Sequence, residues 1–322
     1  MTLPNRADLV VCLAHAAYRL GDELAARGEP MRHFEVRSLD DLRARIGEAD
    51  VLSVSGMWRN DLVDRAPRLK FIQSISAGTD QYDKELLRAR GIRLASAQGA
   101  NERAVAEHAM ALILALARRL PEARDNQAKG FWRGMIGDRA VREKELGGAT
   151  LVIVGLGRIG RRLATLARAF DMRVIGVRRS PRTPEDPVEA VVPPDRLAEI
   201  LPQADYVALT CPLTPQTKRL MGAAQFAAMK PSAQLVNVAR GRVVDEPALI
   251  AALEEGRLAG AGIDTAVEEP LPQASPLWAF PNVLVTPHTA GETQLYEKNV
   301  VDLLLANLAR LERGERLVNE IV

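Results

Sequence analysis

The sequence predicts an α/β protein with two doubly wound parallel sheets. Short apolar runs alternate with helical segments along the first hundred residues, and a second series of the same kind begins near residue 150. Strands that are separated by helices in this way form parallel sheets with helices on both faces. At 322 residues the chain is too long for one ordinary core. We therefore expect two domains, each with its own sheet.

The first series contains five candidate strands, and the second contains six. The first five are DLVVCLA, HFEVRSL, DVLSVSG, LKFIQSISAG and IRLASA, and the other six are LVIVGLG, RVIGVRR, YVALTCP, QLVNVAR, AGAGID and NVLVTPH. Between the series, residues 101–120 form a predicted helix, with Asn101 as its N-cap and Pro121 beyond its end. On this helix we expect His108 to be packed and hydrogen-bonded rather than catalytic. The last thirty residues predict an amphipathic helix that returns to the first domain.

Composition and charge argue against several kinds of partner. Apolar residues make up 47% of the chain and charged residues 26%, as in soluble globular proteins. The formal net charge of +2 gives no reason to expect a nucleic acid or a membrane. The longest apolar run, AMALILALA, is far shorter than the roughly 20 residues of a membrane helix. Cys12 and Cys211 lack metal-site spacing, so we expect no metal and a reduced, cytoplasmic chain.

Residues 151–160, LVIVGLGRIG, place an apolar strand before three glycines in G-x-G-x-x-G spacing, and the helical segment RRLATLARAF follows. Gly155 permits a tight turn, Gly157 lets the backbone approach a pyrophosphate, and Gly160 lets the helix pack on the strand. The helix N-terminus then favours an anion. Such a motif is weakly specific alone, but these flanks are typical of a Rossmann dinucleotide-binding domain.

The end of the next predicted strand, MRVIGV, indicates which dinucleotide is preferred. An NAD site would place Asp or Glu there to accept a hydrogen bond from the ribose 2′-OH. This chain has Arg178, Arg179 and Ser180, followed by Arg182. Guanidinium groups bind a 2′-phosphate through charge-assisted hydrogen bonds, whereas a carboxylate repels it. A solvated basic turn is the alternative. We expect NADP(H) to be preferred, with NAD(H) possible.

Polar residues also follow three strands of the second series. Arg240 follows QLVNV, Asp264 ends AGAGI with Glu269 five residues on, and His288 follows NVLVT. Because ligands bind outside the carboxyl ends of parallel strands, we expect these side chains to converge. Each could separately be a surface residue. Together they provide an anion clamp, a carboxylate that orients a histidine, and a titrating acid or base.

Seven motifs in this order resemble those of the D-isomer-specific 2-hydroxyacid dehydrogenase family over nearly the whole chain. They are SISAGTDQYD, NERAVAEHAMALILALARRL, VGLGRIG, TCPLTPQTKRLM, LVNVARGRVVDEPAL, GIDTAVEEPLP and TPHTAG. The resemblance implies that Arg240, Glu269 and His288 are the catalytic triad and that Asp264 holds the nicotinamide carboxamide. The substrate would contact the segment Ser76, Ala77 and Gly78, through the last two backbone N–H groups, as well as Arg240 and His288.

The same resemblance implies a flavodoxin-like substrate domain, residues 1–99 with 289–322, and an inserted Rossmann domain, residues 100–288. An active-site cleft would lie between them. The predicted cofactor-binding residues are Gly155, Gly157, Arg158, Ile159, Gly160, Arg178, Arg179, Ser180, Cys211, Pro212, Thr217, Val238, Ala239, Asp264, His288 and Gly291. The family is usually dimeric, and residues 122–146 would form the arm of a homodimer.

The predicted reaction is reversible hydride transfer between NADP(H) and C2 of a small 2-keto or 2-hydroxy acid, such as glyoxylate or hydroxypyruvate. Ser76 stands where a phosphonate-oxidising branch carries lysine, and Glu269 where a formate-oxidising branch carries glutamine, which argues against both activities. One alternative is a non-enzymatic dinucleotide sensor or corepressor of the same fold. An L-specific lactate or malate dehydrogenase is weaker, since its glycine motif would lie near the N-terminus.

Overall fold

The computed structural model describes residues 3–322. The chain divides into two compact units. One, which we call the N-terminal unit, contains the residues up to Asn101 together with Glu292–Val322. The other, the central unit, is the uninterrupted stretch Glu102–Gly291. Each unit has a parallel sheet and apolar clusters of its own.

The N-terminal unit contains a five-stranded sheet in the order β2-β1-β3-β4-β5, in which every pair is parallel. This order is that of a flavodoxin-like sheet. Its elements up to Asn101 are β1 (Val10–Ala14), α1 (Leu20–Ala25), β2 (Arg32–Val36), α2 (Leu39–Arg45), β3 (Val51–Val54), β4 (Phe71–Ser74), α3 (Lys84–Ala89) and β5 (Arg93–Ala95). Strand β1 is buried along its whole length, as expected for a strand covered on both faces.

The C-terminal segment of the chain packs within this N-terminal unit. Its helix buries an apolar stripe that includes Val300 and Leu304 in the same cluster as α1. Asn307 Nδ2 donates to Gln73 Oε1 at 2.8 Å in the interior. An isolated antiparallel bridge also joins Ala95 to Glu320. These contacts hold the two separate stretches of the unit together.

The central unit contains a seven-stranded parallel sheet in the order β12-β11-β10-β9-β6-β7-β8. Its elements are α4 (Glu102–Ala117), α5 (Leu120–Ala128), β6 (Thr150–Val154), α6 (Arg158–Ala169), β7 (Arg173–Val177), β8 (Ala190–Val192), α7 (Leu197–Ile200), β9 (Tyr206–Leu209), α8 (Ala223–Ala228), β10 (Gln234–Asn237), α9 (Glu246–Glu254), β11 (Gly260–Ile263) and β12 (Val283–Val285); α10 (Tyr296–Glu312) is the helix of the N-terminal unit described above. The predicted fold class, two doubly wound parallel sheets, is confirmed.

The order of the seven strands creates a switch point between β6 and β9. From β6 the chain builds β7 and β8 on one side, and then returns to build β9 to β12 on the other. Helices on opposite sides of such a point leave a crevice outside the carboxyl ends of the strands, where ligands bind. On one face of the sheet α4 packs closely, since a Cβ at Gly262 would lie 3.0 Å from Leu112 Cβ. The backbone of the central unit thus presents a binding edge.

Candidate active site

The glycine turn after β6 fits a dinucleotide. Gly155 has φ +104°, and a Cβ there would lie 2.5 Å from Cys211 N. A Cβ at Gly160 would lie 2.3 Å from the Gly155 carbonyl oxygen, so the helix and the turn are in direct contact. Gly157, the N-cap of α6, faces open space, with no described atom within 4 Å of such a Cβ. Two glycines therefore pack the turn, and the third leaves room for a pyrophosphate at the helix N-terminus.

The carboxyl ends of β9 and β10 supply the other predicted cofactor residues. Cys211 follows β9 and is buried, and burial raises the pKa of its thiol to about 11, which leaves it unreactive. Thr217 Oγ1 donates to the Pro212 carbonyl oxygen at 2.6 Å and closes a small turn. Val238 and Ala239 follow β10 and are almost fully buried. Their side chains shape the edge of the sheet, and their backbone is what a ligand would meet.

Glu269 and His288 form a hydrogen-bonded dyad. Glu269 Oε2 lies 2.8 Å from His288 Nδ1, although the residues are 19 positions apart. The Ala266 N–H donates to the other carboxylate oxygen, Oε1, at 3.1 Å and fixes the carboxylate. Because Glu269 accepts at Nδ1, the tautomer or cation that it favours leaves Nε2 available for a second partner. Both side chains remain partly exposed, 45% for the histidine and 40% for the glutamate.

The dyad shifts both pKa values in the direction of an ion pair. The hydrogen bond to Glu269 raises the pKa of His288 above its ordinary value, against the opposing effects of burial and the Arg240 charge. Burial would raise the pKa of Glu269, but the hydrogen bond and charge of His288, the Ala266 N–H and the Arg240 charge together lower it. The arrangement therefore favours imidazolium beside carboxylate to a higher pH than for a histidine without this partner.

Asp264 holds the loop that carries His288, residues 286–290, which we call the histidine loop. Its buried carboxylate accepts hydrogen bonds from Thr286 Oγ1 at 2.6 Å and from the backbone N–H groups of Thr289 and Ala290. His288 lies between these donors and adopts the left-handed conformation with φ 57°. Such a conformation is costly for a side chain with a Cβ and persists where its surroundings enforce it. The strain at His288 is therefore held by the Asp264 hydrogen bonds.

Arg240 follows β10, and its own loop packs against the loop that carries Glu269. A Cβ at Gly241 would lie 1.9 Å from the Ala266 carbonyl carbon, so only glycine allows this approach. The partly buried Arg240 guanidinium donates to the Ala239 carbonyl oxygen at 2.8 Å, and Asn237 Nδ2 donates to the Arg240 carbonyl oxygen. Its charge acts on both members of the dyad. The central unit thus brings the three predicted catalytic residues together.

The predicted substrate segment belongs to the N-terminal unit, where it follows β4. Ser76 Oγ forms a hydrogen bond with Ser55 Oγ, and the Ser76 N–H donates to Ser74 Oγ at 3.2 Å. Ala77 and Gly78 come directly after and are partly exposed. The segment thus lies at the carboxyl end of its sheet, the edge at which α/β proteins bind ligands.

The sequence analysis did not identify two residues that hold loops next to the predicted ligand-binding residues, Thr286 and Asp186. Thr286 connects Asp264 with the partly exposed His108, whose Nε2 lies 3.0 Å from Thr286 Oγ1. His108 is hydrogen-bonded, as expected from the sequence. Asp186, in a polar loop after β7, is the second and is buried under arginines. Thr286 adjoins His288 in the TPH motif and was a visible candidate, whereas nothing in the local pattern marked Asp186.

Within residues 3–322, no cluster of metal-ligating side chains is present. No helix in this same range has the length and apolar character to cross a membrane.

Comparison with known proteins agrees with this geometry. Residues 110–290 match the model of the D-isomer specific 2-hydroxyacid dehydrogenase, NAD binding domain. The chain is 36% identical to a glyoxylate/hydroxypyruvate reductase B of Yersinia enterocolitica, over 86% of this chain and 87% of that protein. It is also 36% identical to a D-3-phosphoglycerate dehydrogenase of Methanocaldococcus jannaschii, over 88% of this chain but 53% of that protein, so it spans about half of that relative.

A solved structure of a D-isomer specific 2-hydroxyacid dehydrogenase family protein from Aeromonas salmonicida superimposes with a TM-score of 0.85. The two chains are 31% identical, and the match covers 98% of this chain and 99% of the other. The chain belongs to the D-isomer specific 2-hydroxyacid dehydrogenase family. It is an oxidoreductase with an NAD(P)-binding Rossmann domain, as the sequence predicted.

Proposed function

We propose that the protein is a D-specific 2-keto acid reductase that uses NADP(H) and acts on glyoxylate, hydroxypyruvate or a related small acid. The hydrogen bond between Glu269 Oε2 and His288 Nδ1 at 2.8 Å, beside the Arg240 charge, carries this proposal. A bound reduced nicotinamide would supply the hydride. The Yersinia enterocolitica relative named a glyoxylate/hydroxypyruvate reductase supports the choice of substrate class.

In the direction of reduction, Arg240 holds the substrate carboxylate and polarises the carbonyl as negative charge grows on its oxygen. His288, as imidazolium, gives its Nε2 proton to that oxygen. Glu269 keeps the ring oriented and stabilises the charged form. Ser76, Ala77 and Gly78 would add polar contacts to the carboxylate. Asp264 holds the histidine loop and would face the nicotinamide carboxamide.

The NADP(H) preference rests on the basic end of β7. Arg179 and Ser180 are exposed there, and no acidic side chain occupies either position. A guanidinium and a hydroxyl suit a 2′-phosphate. We expect NADPH to exceed NADH by more than about tenfold in kcat/KM, a factor that needs only about 1.4 kcal/mol.

Steady-state kinetics with glyoxylate, hydroxypyruvate and phenylpyruvate, each with NADPH and NADH, test the proposal. Arg179→Ala should weaken the use of NADPH and leave that of NADH nearly unchanged. Arg168→Ala is the matched control, because it removes an exposed charge in the last turn of α6, about 15 Å along the helix from the N-terminus that would face the pyrophosphate. Equal efficiency with both coenzymes in the wild type rejects the NADP(H) preference, and absence of turnover with all 2-keto acids favours the sensor or corepressor.

We further propose that the protein is a homodimer. Its contact surface includes residues 120–141, which overlap the arm of residues 122–146 that the sequence predicted. Five large apolar side chains in this segment are at least half exposed: Leu120, Phe131, Trp132, Met135 and Val141. Arg118 and Glu122 border the groove that Trp132 lines. An apolar centre with a charged rim is typical of a protein interface. Five exposed apolar side chains within one segment mark an interaction site, and a second copy is the occupant that we assign.

We place the protein in the cytoplasm. Cys12 and Cys211 are both free and buried, and burial raises the pKa of Cys12 to about 12. Unpaired thiols suit a reducing compartment. Fractionation of cells that express the native chain checks this assignment.

A further inference from the structure

The loop between β7 and β8 is folded around one buried carboxylate. The side chain of Asp186 is completely shielded from solvent. Its oxygens accept from Arg178 at 3.0 and 2.6 Å, from the Thr183 N–H at 2.7 Å, and pair with Arg161 at 3.1 Å. Burial would raise the pKa of Asp186, but the Thr183 N–H and the Arg178 guanidinium lower it, so the group is ionised. Two arginines more than balance its charge.

Most of the hydrogen-bond donors of the Arg178 side chain bind atoms within this loop. Its Nε donates to the Ser180 carbonyl oxygen at 3.0 Å, and one terminal nitrogen donates to the Pro181 carbonyl oxygen in addition to Asp186. A guanidinium has five N–H donors, and four of them are used here. The Arg178 side chain is only 15% exposed. Its hydrogen bonds to Ser180 and Pro181 fix the backbone that follows Arg179.

Arg179 and Ser180 are the parts of the loop that remain available. Both are exposed, and the side chain of Arg179 makes no hydrogen bond or ion pair with residues 3–322. Arg161 belongs to the first turn of α6, so its pairing with Asp186 ties the loop to the helix whose N-terminus would face the pyrophosphate. The Arg182 Nε donates to the Val188 carbonyl oxygen at 3.0 Å and closes the base of the loop.

We propose that Asp186 is a positioning residue that selects for the 2′-phosphate of NADP(H): it braces Arg178 and Arg161, and so holds the backbone of Arg179 and Ser180 where their side chains can bind that phosphate. This inference rests on the proposed NADP(H) preference. Groups that are ordered before the ligand arrives lose less conformational entropy on binding, so the brace increases affinity without touching the phosphate. Because Arg161 and Arg178 neutralise the Asp186 carboxylate, it also repels the phosphate less than an unpaired carboxylate would.

Asp186→Asn tests the brace, because it keeps the shape and removes the charge that holds both guanidinium groups. Isothermal titration should show about a tenfold loss of affinity for adenosine 2′,5′-diphosphate and less than about a twofold change for adenosine 5′-monophosphate. In steady-state kinetics the KM for NADPH should rise, whereas kcat and the KM for NADH should not change. Glu189→Gln is the matched control, since Glu189 is nearby but pairs with Arg173 at the surface.

The outcomes separate this inference from the coenzyme preference itself. If the wild-type protein binds both nucleotides equally, both proposals fail. If Arg179→Ala abolishes the discrimination and Asp186→Asn retains it, the preference stands and the brace is overturned. An equal loss of both nucleotides in Asp186→Asn assigns Asp186 a structural role and also overturns it. If Asp186→Asn does not fold, Arg161→Gln replaces it as the test, and unchanged selectivity in that variant rejects the proposal.

Discussion

At the scale of single residues, the site is organised by carboxylates that differ in burial. Glu269 is partly exposed and shares a hydrogen bond with His288, so it can influence a proton that leaves for a substrate. Asp264 is buried and saturated with donors from the loop that it holds. The first carboxylate tunes a pKa, and the second fixes a backbone. Two acids therefore serve different purposes because their surroundings differ.

Glu269→Gln should shift the pH dependence of reduction. The raised pKa of His288 keeps the imidazolium present to a higher pH, and this benefit is lost as pH rises through that pKa. Removal of the carboxylate charge lowers the pKa of His288, so activity should fade at a lower pH than in the wild type. The profile of kcat/KM against pH measures the shift, with Glu268→Gln, an exposed neighbour, as the control. An unmoved alkaline limb would rule out the dyad.

Arg240→Lys should raise KM and lower kcat together. Lysine keeps the charge but not the planar fork that matches a carboxylate, and the contact strengthens as the carbonyl gains charge. A decrease of about 10- to 100-fold in kcat/KM corresponds to one lost charge-assisted hydrogen bond. Arg242→Lys, two residues on and exposed, is the matched control. Wild-type kinetics in Arg240→Lys would show that Arg240 is not the anchor.

At the scale of elements, the three glycines of the turn between β6 and α6 serve two different purposes, packing of the fold and binding of a ligand. Gly155 and Gly160 are needed because other atoms of the protein occupy the space of a side chain, whereas Gly157 faces open space. Gly157 has φ −85°, which any residue adopts. Gly155 and Gly160 therefore serve packing, and we expect Gly157 to serve ligand binding.

Gly157→Ala should weaken ligand binding, whereas Gly160→Ala should lower the stability of the fold. We expect Gly157→Ala to leave the Tm of the free protein within about 2 °C and to weaken NADPH binding by about tenfold or more. Gly160→Ala pushes a methyl group against the Gly155 carbonyl oxygen, which costs roughly 1–3 kcal/mol and lowers Tm by several degrees. Thermal unfolding and fluorescence titration with NADPH measure both effects. A lower Tm in Gly157→Ala with unchanged affinity would reverse the assignment.

Most strands of both sheets could be predicted from sequence because long apolar runs between turn residues are an unambiguous local pattern. Strand β8 was missed, since Ala190–Val192 has only three residues and follows a polar, proline-containing loop. The contact between Glu269 and His288 could be expected only from their shared position after strands, and the 2.8 Å distance depends on the packing of Gly241 on Ala266. The left-handed conformation of His288 and the burial of Asp186 arise from tertiary contacts that no local window contains.

At the scale of the whole molecule, exposed apolar side chains are unevenly distributed. Trp132 is 95% exposed and Met135 fully so, while the interiors of both units are closely packed. Large apolar groups left in water in this way are rare in monomers and mark surfaces that associate. The segment 120–141 is therefore where a change should alter assembly without altering either core.

The double substitution Trp132→Glu with Met135→Asp should convert a dimer into a monomer. Two buried charges without partners make an interface unfavourable by several kcal/mol. Light scattering coupled to size exclusion should report twice the chain mass of 35.1 kDa for the wild type and a single chain mass for the variant. Trp278→Glu, at another half-exposed tryptophan, is the control. A wild-type protein that is monomeric at micromolar concentration contradicts the proposed homodimer.

The continuity of the central unit has a consequence for inheritance. Glu102–Gly291 is one unbroken stretch that contains the glycine turn, the basic loop and all three predicted catalytic residues, whereas the N-terminal unit is assembled from two stretches. A single recombination cassette between codons 102 and 291 would therefore transmit coenzyme choice and proton chemistry together, and leave the Ser76–Gly78 segment with the recipient. Coenzyme use and the Arg240 anchor would then be inherited together, and the contacts of the Ser76–Gly78 segment would be inherited separately.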